Sequence, residues 1–278
     1  MQLIAADIPS NCDLVLMGDD HEGSKLKHQL GVEKCLDFVM AERYRRLIHM
    51  GDAMEAVQID DKRYMENTQD DAHPRNQEDA VKKQYKRVSK RTVTRLLGNH
   101  CLKLWRHGNY VEKICAEHGI PYGGYACNIT FSDKHGLMFK GHFRHGIRGT
   151  LTSNAKDDGQ RIANLKASFK MKMQDFAGDC VLMAAGCTHR LLVIPPVKKL
   201  YITDDGLELK QHYLKAGTNE DYIEPDRRWF INTGTLRKGL GIGFIDYAEL
   251  GGYPPLPLGY AVVEIRDRKI ANVREVEV

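Results

Sequence analysis

Asp13-Leu14-Val15-Leu16-Met17-Gly18-Asp19-Asp20-His21 is an apolar run that stops at a glycine and gives way to side chains able to hold a metal or a proton. The apolar residues read as a short strand buried on both faces, and Gly18 as its entry into a loop. Carboxyl ends of such strands are where α/β folds build their sites. The arrangement recurs along the chain. Arg46–Met50 closes on Gly51-Asp52-Ala53-Met54-Glu55, and Val93–Leu97 on Gly98-Asn99-His100. Leu137–Lys140 is followed by His142-Phe143-Arg144-His145-Gly146, and Val181–Met183 by Gly186-Cys187-Thr188-His189.

Between the first two strands, Lys25–Arg46 places Leu30, Val32, Cys35, Leu36, Val39 and Met40 at mixed three- and four-residue spacings, which predicts an amphipathic helix. Strand, polar loop, helix, strand is the rhythm of an α/β fold. Residues 56–92 are polar and charged without an apolar period, and read as a charged insertion or helical segment. From Leu191 onward short strands joined by turns dominate (191–194, 199–203, 207–213, 229–233 and 260–265), predicting a second, mostly antiparallel sheet over 191–278. The whole chain is expected to form a single domain.

Composition sets the class. Of 278 residues, 42% are hydrophobic and 28% charged, the balance of an ordinary globular protein. No apolar run approaches the ~20 residues of a membrane span. MQLIAADIPSNCD lacks a basic leader followed by an apolar stretch, so no secretory signal is expected. Seven scattered cysteines without a CxxC pair suggest reduced thiols and a cytoplasmic location. A net charge of +4 permits a polyanionic partner without demanding one.

Each glycine-bearing turn displays oxygen or imidazole donors. Two divalent ions ~3.5–4 Å apart need a shared carboxylate and several N/O ligands from separate loops. Imidazole with carboxylate suits manganese, iron or zinc better than calcium or magnesium. The order DxH, GDxxE, GNH, H and GxTH resembles the calcineurin-like metallophosphoesterases, whose usual pattern is DxH, GDxx(D/E), GNH(D/E), H and GHxH. The resemblance runs from about residue 13 to 190. It implies a four-layer α/β/β/α sandwich and a dinuclear site, with manganese first and iron, zinc or nickel as alternatives. Carried over by position, Asp19, His21, Asp52 and His189 hold one metal. Asp52 bridges to a second, held also by Asn99, His145 (His142 as the alternative) and the residue at 187. His100 is the acid that protonates the leaving oxygen, suited to this by an ordinary pKa of ~6.5.

Cys187 departs from the pattern, standing where the family has histidine. It reads as a thiolate ligand favouring a softer ion, as a weakened second site, or as a lost one. Cys101 replaces the acidic residue that often follows GNH.

The stretch 81–95 (VKKQYKRVSKRTVTR) holds seven basic residues and no acidic one, with Lys82, Lys83, Lys86 and Arg87 at helical spacing. With Trp105 and Arg106 nearby, these residues suit a phosphate backbone and a stacked base. The stretches Asn232-Thr233-Gly234-Thr235 and Gly252–Tyr260 are similar to small phage and prophage members labelled DNA-exonuclease-like. The expected activity is a phosphodiesterase or nuclease acting on DNA, another nucleic acid or a nucleotide through a metal-activated hydroxide. The alternatives are a phosphomonoesterase acting on a protein or metabolite, and a metal-poor nucleic-acid-binding protein.

Overall fold

The computed structural model describes residues 1–61 and 64–278. The strands are β1 (Gln2–Asp7), β2 (Cys12–Met17), β3 (Arg46–His49), β4 (Thr92–Arg95), β5 (Ala126–Asp133), β6 (Gly136–Arg144) and β7 (Leu182–Ala185). They continue with β8 (Leu191–Ile194), β9 (Leu200–Asp204), β10 (Leu209–Tyr213), β11 (Trp229–Thr233), β12 (Gly259–Arg266) and β13 (Lys269–Glu277). The longer helices are α1 (Gln29–Ala41), α2 (Pro74–Tyr85), α4 (Tyr110–His118) and α5 (Asp158–Met173), with a single turn, α3 (Asn99–Leu102), directly after β4.

One sheet has the order β13-β12-β2-β3-β4, with β2, β3 and β4 parallel and β12 antiparallel to β2. The other has the order β1-β5-β6-β7-β11-β8, with β6, β7 and β11 parallel. The α/β class expected from the strand–loop–helix rhythm is the class observed.

Side-chain alternation along β2 shows how the sheets are covered. Leu14 and Leu16 enter a core shared with Ile129 and Phe143 of the other sheet, so the two sheets bury these faces against each other. Val15 and Met17 point the opposite way, against Val32, Leu36 and Val39 of α1 and Ile114 of α4. On the second sheet, Met183 and Phe230 pack on Leu165, Phe169 and Met173 of α5. β2 is buried at every position, which is why it reads as a continuous apolar run and not as an alternation.

One expectation is corrected. Residues 191–278 do not make one second sheet: β9 and β10 pair with each other as a two-stranded antiparallel sheet, β8 and β11 extend the sheet of β6 and β7, and β12 and β13 add to the edge of β2. Sequence shows that a segment is a strand but not which edge it joins, because register and partner are set by long-range packing. The charged stretch after residue 56 is helical over α2 and a 3₁₀ segment, Lys86–Arg91. Its apolar contacts are few (Val81, Tyr85, Val88), too sparse to give a visible period.

Candidate metal centre

The parallel strands β2, β3 and β4 end side by side, and their loops are stitched together through the backbone. The Asp19 N–H donates to the Gly51 carbonyl at 2.9 Å, His21 N–H to Asp52 at 3.1 Å, and Glu55 N–H to Glu22 at 2.9 Å. From the facing sheet, the ends of β6 and β7 bring His145, Cys187 and His189 to the same place. Asp19, His21, Asp52, Cys187 and His189 all hold positive φ, between 50° and 75°. Left-handed backbone is costly for residues with a Cβ and gathers at functional sites. Here it turns successive side chains inward from very short loops. Gly51, at φ 104°, has no alternative: a Cβ there would lie 2.4 Å from Nδ1 of His145.

Asp19, His21 and His189 form one donor group, with ligand atoms within 4.8 Å of one another. Asp19 Oδ2 accepts the Cys187 N–H at 2.9 Å, while its Oδ1 is buried, accepts no hydrogen bond and faces His189 Nε2 at 3.5 Å. His21 presents a buried Nε2 with no hydrogen-bond partner, its Nδ1 being bonded to Glu55 Oε2 at 2.6 Å. Buried polar atoms are almost always satisfied. Two unsatisfied ones, a carboxylate oxygen and an imidazole nitrogen aimed at one point, fit a cation.

The second group is built around Asp52 and His145. His145 hydrogen-bonds the Met50 carbonyl through Nδ1 at 2.8 Å, which leaves Nε2 facing Asn99 Oδ1 at 2.9 Å and Asp52 Oδ2 at 3.1 Å. Cys187 Sγ lies 3.1 Å from the same Asn99 oxygen. An amide oxygen, a carboxylate oxygen, an imidazole nitrogen and a sulfur thus converge, and all four are metal-donor types. Asp19, Asp52 and His145 lie within 4.8 Å of one another by their donor atoms, so the two groups share an edge.

The charges are held in the state a cation needs. Burial disfavours the Asp52 carboxylate, but the His145, His100 and His21 rings outweigh it and keep the group well below the usual range. Asp19 is also lowered, burial being overcome by His189 and His145. Burial likewise opposes ionisation of Glu55, yet His21, His100 and Arg237 hold its pKa at about 2.

Glu55 is the residue whose role the sequence reading missed, although it closes the GDxxE stretch. It orients His21 through Nδ1, lies 3.8 Å from His100 Nδ1 and 3.8 Å from Arg237 Nε, and is 3% exposed. Carboxylates in this position fix a ligand histidine's tautomer and ring plane. A second supporting set lies behind the loop: Asp20 binds His49 Nε2 at 2.9 Å and the Tyr85 hydroxyl at 2.7 Å. The Gly51 N–H donates to the other His49 nitrogen at 3.3 Å. His100 joins through its backbone, donating N–H to Asp52 Oδ1 at 2.8 Å, and its Nδ1 bonds the Glu55 carbonyl at 2.6 Å.

Other expected residues stand elsewhere. His142 is inside β6, bonded to Asn128 Oδ1 at 2.7 Å and stacked on Phe176, with burial pushing its pKa down to about 4. The strand runs to Arg144, longer than the apolar core suggests, so the pleat carries His142 away from the donors that surround His145. The basic run is partly neutralised: Lys82 pairs with Glu78 of its own helix and Glu117 of α4, and Arg87 with Glu33 and Asp37 of α1. Lys83 and Lys86 are exposed. Arg106 pairs with Asp60 at 2.9 Å and lines a hollow of about 220 Å3 beside Ala56 and Lys103. Among the seven unpaired cysteines Cys187 alone is not buried.

No protein-family model and no curated protein matches the chain. Solved structures with a similar course of chain include Yfce, a phosphoesterase from E. coli, at 13% identity and TM-score 0.40, covering 95% of this chain and 100% of that one. Calcineurin-like phosphoesterase YfkN from Bacillus subtilis matches at 9% identity and TM-score 0.39, over 96% of this chain and 90% of that one. Haemophilus influenzae NAD nucleotidase matches at 11% identity and TM-score 0.38, over 96% of this chain and 50% of that one.

Proposed function

We propose that the chain is a metal-dependent phosphoesterase acting on the phosphodiester of a nucleic acid or nucleotide. The observation that carries this reading is the convergence of Asp19, His21, Asp52, Asn99, His145, Cys187 and His189, with Asp19 Oδ1 and His21 Nε2 buried and unsatisfied between them. Asp19, His21 and His189 are the ligands proposed for one cation, and Asn99, His145 and Cys187 for a second, with Asp52 shared. Bound divalent cations supply Lewis acidity toward a phosphoryl oxygen and toward water. Manganese, iron, zinc and nickel all suit the donor set; the sulfur of Cys187 shifts preference toward the softer of them.

The remaining chemistry belongs to side chains of this chain. His100 is proposed to hold the proton that goes to the leaving oxygen. Its Nδ1 is tied to the Glu55 carbonyl at 2.6 Å, with the Glu55 carboxylate 3.8 Å away, which fixes the plane of the ring at the edge of the donor cluster. Glu55 holds His21 and His100 in fixed planes, so neither must reorganise during reaction. Asp19, His21, Asp52 and His145 are buried, whereas His189 is part-exposed.

The test uses metal-stripped protein resupplied separately with manganese, nickel, zinc, iron or magnesium. Turnover of bis-p-nitrophenyl phosphate above that of the monoester, lost in Asp52→Ala, is the expected result. A strong preference for the monoester would transfer the assignment to a phosphomonoesterase. Salt-sensitive DNA binding without turnover by any metal form would transfer it to a binding protein.

A further inference from the structure

Beside the donor cluster lies an apolar hollow of about 420 Å3, walled in part by Leu97, Leu102, Trp105, Tyr122 and Tyr125. That volume falls within the ~300–1,000 Å3 of small-ligand sites. Trp105 is 53% exposed and Tyr125 37%, so aromatic surface is open to a visitor. The hollow is built by the segments that build the site. Leu97 and Leu102 bracket Gly98-Asn99-His100-Cys101 in the chain, so the segment that carries Asn99 and His100 runs between two residues of the wall. Tyr125 forms the join on the other side. Its ring stands edge-on to His145 at 5.7 Å, and its carbonyl accepts the His145 N–H at 2.9 Å. A Cβ built on Gly146 would fall 2.8 Å from the Tyr125 hydroxyl and 3.8 Å from the Cys187 Cβ, placing that phenol beside the second donor group.

We infer that this hollow receives the aromatic base of a nucleotide whose phosphate lies at the donor cluster, with Trp105 as the stacking surface and Tyr125 as the wall between base and phosphate. The inference rests on the phosphoesterase reading and narrows its substrate to esters that carry a base. An exposed indole with two tyrosines suits a planar ring, since every base offers a π-face. Gln2 lines the hollow and supplies an amide donor and acceptor for a base edge. Among the described residues no lysine or arginine lines it, in contrast to the hollow of Lys103 and Arg106.

The experiment compares adenosine 5′-monophosphate with ribose 5-phosphate by isothermal titration calorimetry on manganese-supplied protein, wild type and Trp105→Leu. Base stacking contributes about 1–3 kcal/mol, so the wild type is expected to prefer the adenosine compound by roughly 5- to 150-fold. The preference is expected to collapse to within about twofold in Trp105→Leu, with ribose 5-phosphate bound equally by both. Because Trp105 is more than half exposed, this variant is expected to fold, and circular dichroism checks it. Equal affinities in the wild type, or a preference that survives Trp105→Leu, would overturn the base site. Turnover of bis-p-nitrophenyl phosphate is measured in the same preparation. Its absence alongside an intact adenosine preference retires the phosphoesterase reading and keeps the base site.

Discussion

Cys187 shows how a single position combines strain, contact and chemistry. Its backbone sits at φ 75° and its N–H fixes Asp19 Oδ2, so the residue supports one donor group through the main chain while its sulfur faces the other. Replacing the sulfur therefore tests the second group while leaving the first in place. Cobalt(II) added to the metal-stripped wild type is expected to give a sulfur-to-metal charge-transfer band. In Cys187→Ser that band is expected to vanish, with the weaker cobalt transitions retained through Asp19, His21 and His189. A wild-type spectrum without the sulfur band would show that Cys187 does not coordinate. At this scale the sequence was informative where chemistry is compressed into a few adjacent residues: DxH, GDxxE and GNH. It was silent on direction. Nothing in the spacing of His142 and His145 says which one faces the donors, because that depends on where β6 ends. Glu55 was visible as a letter of its motif, yet its function depends on the turn at Ala56, held at φ 51°, and on His21 and His100 coming from other segments.

Elements position these residues through contacts too close for ordinary side chains. Gly98 sits between β4 and α3, and a Cβ there would lie 1.8 Å from Asp52 Oδ1 and 2.2 Å from the Asp52 nitrogen. Its φ of −94° is ordinary, so the constraint is space and not backbone freedom. Gly98→Ala is expected to push Asp52 away from the His100 N–H and lower metal affinity by at least an order of magnitude, whereas Gly239→Ala meets no neighbour. Manganese titration by calorimetry on both variants checks this; equal affinities would mean the loop relaxes around the added methyl. Elements with a sharp apolar block, such as β2, β7 and β11, were legible in the sequence because they are buried along their length. β1 and β13 were not, since most of their residues are exposed edge positions with polar neighbours. α5 was missed for a similar reason: only Leu165, Phe169 and Met173 are buried in sixteen residues, and its clearest signal is the Asp157 cap accepting the Gln160 N–H.

At the scale of the whole molecule the donor cluster is a seam. Asp19, Asp52 and Asn99 come from the loops of one sheet, His145, Cys187 and His189 from the other, and both sheets share the core of Leu14, Leu16, Ile129 and Phe143. A cation bound there ties the two sheets and adds to folding stability by mass action, about 2.7 kcal/mol at a hundredfold excess over Kd. Without one, Asp19 and Asp52 are buried carboxylates whose donor oxygens lie within 4.8 Å of each other, and like charges at that range repel. In the metal-stripped fold the His189, His145 and His100 rings offset that repulsion and hold both groups ionised, and a bound cation adds a second source of positive charge. Asp19→Asn separates the two effects, because the amide oxygen still accepts the Cys187 N–H while the buried charge is gone. Manganese is expected to raise the wild-type Tm by roughly 5 °C or more, given ~2–4 °C per kcal/mol for a chain of this order of size. In Asp19→Asn the gain is expected to fall by at least half, while the metal-stripped variant melts at or below the metal-stripped wild type, because the attraction of His189 and His145 for the carboxylate is lost with its charge. Calorimetric scans of both proteins with chelator and with manganese make the comparison. An equal gain from manganese in the two proteins would mean that the Asp19 carboxylate serves a buried charge network with His189 and His145 and does not hold a cation.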